Sequence, residues 1–101
     1  MTIGEMALCA NKRMLGFDAE MLADTYEKLW VDFFHTRRNT TLNSCAQMYI
    51  IGLAMDKFDS NRSEDMCAGA SLFAKDMGYT AQQFQDELEM VCNNIDKQEN
   101  K

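Results

Sequence analysis

Residues 42–55 read LNSCAQMYIIGLAM, and the fold turns on this stretch. Leu42, Cys45, Ala46, Tyr49, Ile50 and Leu53 recur at the spacing of one helical face. Met48, Ile51, Ala54 and Met55 fill the other faces, so the segment is apolar nearly all round. Such a helix leaves no side for water: it is either the central element of a helical domain or buried between two copies of the chain. Its longest apolar run, Met48 to Met55, is eight residues including Gly52, far short of the roughly 18 that a membrane-spanning helix needs.

Upstream, Asn39, Thr40 and Thr41 form a polar break with capping side chains. Before it, Leu22, Tyr26, Leu29, Trp30, Phe33 and Phe34 make one broad apolar face of a second helix, capped by Asp18 and ending near Arg37 and Arg38, where a helix C-terminus favours cations. Phe17 and Leu22 are placed as a hydrophobic staple across that cap. Thr2 and Glu5 have the form of a capping box for a first helix over Ile3 to Leu15, with Ile3, Met6, Ala10 and Met14 inward and Gly16 as terminator.

Downstream, Asp59 to Ser63 is a turn cluster in which Ser60 or Ser63 can cap a fourth helix, its inward side formed by Met66, Ala70, Phe73, Ala74 and Met77. Gly78 ends that helix. Thr80 and Gln83 form a second capping box, and Phe84, Leu88, Val91 and Ile95 are the inward stripe of a fifth. The whole predicts an all-α fold: one domain over residues 1–97, a compact bundle of about five helices, four long and one shorter at the N-terminus, then a frayed polar tail at 98–101. Short connections imply mostly antiparallel neighbours.

Composition agrees. The 101 residues contain no proline and only five glycines, so hairpin punctuation is nearly absent, while 47% apolar residues with six Phe, one Trp and nine Met suffice for a core. The start Met-Thr-Ile-Gly-Glu has no basic stretch leading into an apolar run, which predicts a cytoplasmic protein without a secretory signal. Cys9, Cys45, Cys67 and Cys92 contain no closely spaced pair and read as free thiols. Net charge is −6, yet residues 35–63 hold two acids against four bases, hence +2.

Chemical motifs are sparse. Asp59, Asn61, Ser63 and Asp65 match the first four oxygen ligands of a calcium loop, but Glu64 stands where the loop needs Gly and Ala70 where it needs a bidentate Glu. A zinc site lacks its paired cysteines. Asp32 and His35 have the carboxylate-x-x-His spacing of di-iron bundles, but His35 is the sole histidine and a second copy cannot exist. A cysteine nucleophile with His35 as base has no sequence context marking an activated thiolate. No cofactor and no metal are expected.

These readings point to a non-enzymatic protein–protein interaction domain: a small acidic regulator, adaptor or inhibitor working through helix faces, with homodimerisation through the third helix. The residues assigned to partner binding are Arg37, Arg38, Met48, Ile51 and Met55. Nine methionines suit an adaptable surface. The alternative is a helical nucleic-acid-associated regulator using the basic segment 35–41, which the net charge opposes because phosphate neutralisation is the main source of such affinity. A thiol- or metal-dependent protein is the third reading.

Overall fold

α-Helices begin where a short polar side chain can cover the first free N–H groups, and Thr2, Asp18, Asp59 and Thr80 do this here. In the computed structural model, which describes residues 2–35 and 42–99 with the side chains at 33, 34 and 94–99 left aside, the elements are α1 (Ile3–Arg13), α2 (Ala19–His35), α3 (Leu42–Met55), α4 (Ser60–Asp76) and α5 (Ala81–Glu99). Both capping boxes form: the Glu5 N–H donates to Thr2 Oγ1 and the Gln83 N–H to Thr80 Oγ1, each at 3.1 Å, with the reciprocal side-chain bonds present. Asp18 accepts from the Met21 N–H at 2.8 Å.

The cap of α4 differs from expectation. Asp59 holds that place, accepting from the Arg62 N–H, while the Ser63 hydroxyl is buried and donates to the Gly52 carbonyl of α3 at 2.6 Å. At the other end, Gly78 adopts φ 92°. Its N–H bonds to the Lys75 carbonyl and that of Tyr79 to the Ala74 carbonyl, the paired bonds of a Schellman stop. The backbone of α5 stays helical through Glu99, two residues into the stretch expected to fray.

Among the described residues α3 packs against all four other helices. Cys45, Met48, Ile50, Ile51 and Met55 are at most 1% exposed, and α1, α4 and α5 contribute Met6, Ala70, Ala74, Leu88 and Cys92 to the same core. Burial of each large side chain among these contributes roughly 1.5–3 kcal/mol. The all-round apolar character of residues 42–55 is thus used up inside one chain. This corrects the assignment of Met48, Ile51 and Met55 to partner binding: they are enclosed by neighbours of their own chain.

Close approach of α4 to α3 depends on Gly52. A Cβ there would lie 2.8 Å from the Cys67 Sγ and 3.1 Å from its backbone nitrogen. With no side chain in the way, the Ser63 hydroxyl and the Cys67 thiol both reach α3 carbonyls, of Gly52 and Tyr49 respectively. Buried donors find acceptors, so the contact costs no unpaired group.

The second helix departs furthest from its reading. Of its broad face only Leu22 is buried; Tyr26 and Leu29 are half-buried, Trp30 is exposed, and the side chains of Phe33 and Phe34, like that of Ile95 in α5, lie outside the described set. The stripe of α1 also narrows, since Ile3 is exposed while Met6, Ala10 and Met14 are buried.

Candidate interaction surface

On α2, Ala23, Tyr26, Glu27 and Trp30 fall at i, i+3, i+4 and i+7, one face of the helix. Arg62, Asp65 and Met66 occupy the corresponding face of the first turns of α4. The two faces do not close on each other. They bound an open groove of about 400 Å³ lined by these seven residues.

Its floor is fixed by the Tyr26 hydroxyl, which crosses from α2 and donates to the Met66 carbonyl at 2.7 Å. Gly69 makes room for it: a Cβ at that position would lie 2.8 Å from the hydroxyl oxygen. Burial, reinforced by the neighbouring Cys67 and Cys45, pushes the Tyr26 pKa up to about 12, so the phenol remains a donor across the physiological range. One turn further along α2, the Trp30 ring stands 6.3 Å from that of Phe73 at 47°, within the range of favourable aromatic pairs.

The lips are mixed. Each helix brings one acid to the groove, Glu27 from α2 and Asp65 from α4, while Val31 and Leu72 lie outside its lining. Trp30, Val31 and Leu72 are 42%, 38% and 58% exposed. Arg62 is the one basic residue lining the groove. The arrangement can take up an apolar side chain between the aromatic rings of α2 and Met66 of α4, while an acid on each helix can meet a cation.

The other candidate chemistries do not assemble among the described residues. Asp59 is spent on the α4 cap and Ser63 on the Gly52 carbonyl, so the calcium-like spacing falls in a helical turn rather than in a ligand loop. No three of His, Cys, Asp and Glu converge on a metal-sized site there, and none of the four cysteines is in a disulfide. Burial pushes Cys45 and Cys67 up to about 11, away from the lowered range of an activated nucleophile. Asp32 and His35 are exposed near the end of α2.

Of the residues assigned to a partner, Met48, Ile51 and Met55 are interior, and Arg37 and Arg38 lie outside the described residues. Of the groove residues, Tyr26 and Trp30 were visible in the sequence as members of the apolar face of α2. The available signal was the width of the α2 stripe, broader than one neighbouring helix covers. No helix among the described residues is long and apolar enough to cross a membrane. The chain matches no protein-family model, and neither curated proteins nor solved structures give a match.

Proposed function

We propose that this chain is a non-enzymatic protein-interaction domain, a small acidic regulator, adaptor or inhibitor, whose partner docks in the α2–α4 groove. The occupant is a segment of another protein that carries a large apolar side chain flanked by Lys or Arg. The observation that carries this reading is Trp30: 42% exposed, paired with Phe73, and set in a groove edged by Glu27 and Asp65. Tryptophan is among the side chains enriched at the few interface positions that dominate binding energy. Acidic lips on a chain of net charge −6 favour a basic partner and speed its approach. Laying an amphipathic segment into such a groove is a recurrent mode of recognition.

The test is parallel capture from native extract by tagged wild-type and Trp30→Ala protein, followed by calorimetry with the purified captured protein. The expected result is one stoichiometric protein that survives a high-salt wash and binds the variant at least about tenfold more weakly. Glu27→Lys with Asp65→Lys should weaken the same complex at low salt. Recovery of nucleic acid alone, released by salt and indifferent to Trp30→Ala, would overturn the reading in favour of the segment 35–41.

A further inference from the structure

The last turns of α4 and the first turns of α5 are joined through Gly78 yet pack only sparsely on each other. A cavity of about 540 Å³ lies between them, with Tyr49 of α3 as its third side. On α4, Ser71, Ala74 and Lys75 fall at i, i+3 and i+4; on α5, Ala81, Phe84 and Leu88 fall at i, i+3 and i+7. Each helix thus turns one face to this space. The volume is that of a small-molecule site. No residue that lines it also lines the α2–α4 groove.

The lining has an aromatic part and a cationic one. Ala74, Phe84 and Leu88 are buried, and the Tyr49 ring meets that of Phe84 edge to face, 5.5 Å away at 86°. Tyr79, from the turn between α4 and α5, supplies a third ring. Lys75 is exposed, and among the described residues no hydrogen bond or ion pair engages its ammonium. The lining contains no acid: Asp76 and Asp86 fall outside it, whereas the α2–α4 groove takes both Glu27 and Asp65. Burial, reinforced by the neighbouring Cys67, pushes the Tyr49 pKa above its ordinary value, so this wall adds no negative charge near neutrality. In a chain with 16 acids and 10 bases, this cavity offers a cation with no acid beside it in the lining.

We infer that the cavity binds a small aromatic carboxylate, its ring among Tyr49, Tyr79 and Phe84 and its carboxylate on Lys75 at the mouth. Offset and edge-to-face ring contacts favour an aromatic body over an aliphatic one of equal size. The ammonium donates charge-assisted hydrogen bonds to the carboxylate, which a neutral analogue forgoes.

The test is a titration of the isotope-labelled full chain with phenylpropanoate, followed by amide chemical shifts, beside its neutral counterpart phenylpropanamide. Phenylpropanoate should give saturable shifts centred on residues 71–88, with a dissociation constant on the order of 0.1–1 mM, the scale for a ligand of this size. Phenylpropanamide should bind more weakly at the same place. Lys75→Met removes the charge from an exposed side chain and leaves the fold intact; it should weaken phenylpropanoate about threefold to fivefold, the worth of an exposed ion pair, and leave phenylpropanamide unchanged. Ser71→Trp, which sets a large ring into the cavity from α4, should abolish both with unchanged circular dichroism. Shifts that remain linear to several millimolar, or that gather on the α2–α4 groove, overturn the proposal. So does a Lys75→Met chain that binds both probes as wild type does.

Discussion

The Tyr26 hydroxyl and the Met66 carbonyl, forty positions apart, are joined at 2.7 Å by a hydrogen bond that ties α2 to α4. That bond sets both the floor of the groove and the depth to which Trp30 is carried. Tyr26→Phe keeps the ring and removes the donor, while the Met66 carbonyl retains its helical partner. The expected loss is about 1 kcal/mol in urea denaturation with an unchanged slope. Faster amide exchange should be confined to α2.

Gly69 and Tyr26 should prove coupled. In the wild-type background Gly69→Ala drives a methyl against the Tyr26 oxygen, and in the Tyr26→Phe background that collision disappears, leaving the helix-propensity gain of roughly 1 kcal/mol for Ala over Gly. A double-mutant cycle therefore gives a positive interaction for the pair. Gly52→Ala has no such relief, because the Cys67 backbone nitrogen is itself at 3.1 Å, and the expected cost is about 1–3 kcal/mol in either background.

Alkaline pH should destabilise the fold before any backbone chemistry intervenes. Tyr26 is held at about 12 against an ordinary value of 10.0, and Cys45 and Cys67 at about 11 against 9.0, chiefly through burial. For groups raised in the folded state, the unfolded chain loses its protons first, so their stabilisation is complete below about pH 9 and declines as pH rises through 11 to 12. Urea midpoints should be flat between neutrality and pH 8.5 (about half a unit below the lowest unfolded value) and fall beyond it. Cys45→Ala with Cys67→Ser should flatten part of that fall.

Asp59 distinguishes a cap from a ligand. If it serves to bind the Arg62 N–H, Asp59→Ala lowers stability by about 1 kcal/mol with or without calcium, and millimolar calcium leaves the wild-type melting temperature where it was. A calcium-dependent rise in wild type that vanishes in the variant would return the spacing from Asp59 to Asp65 to metal chemistry.

Much of this fold was legible because capping is a local chemistry. Thr2 with Glu5, Asp18, Gly78, and Thr80 with Gln83 act where their sequence neighbours alone place them. The α4 cap was misplaced because Asp59, Ser60 and Ser63 are equally able to serve, and what decides among them is a carbonyl on another helix, Gly52, that claims Ser63. Residues 42–55 disclosed the central helix, yet not whether its cover would come from the same chain.

The candidate site was the least legible part, for a related reason. Periodicity reveals that α2 has an apolar face but not how much of it a neighbour reaches, so Trp30 read as interior. The same blindness assigned Met48, Ile51 and Met55 to a partner, although their own chain encloses them. Both errors came from treating apolar character as a property of one helix, when exposure is settled between two.

The way α2 is held has a consequence for how the molecule moves. Among the described residues its broad packing partner is α3, and it reaches α4 through the hydroxyl of Tyr26 and the ring of Trp30. Side chains reorient on the nanosecond scale, whereas displacing packed backbone takes microseconds or longer. Trp30, exposed at the groove, belongs to the faster class while Tyr26 is tied to α4, so the groove can adjust to partners of unequal bulk by moving one ring rather than a helix.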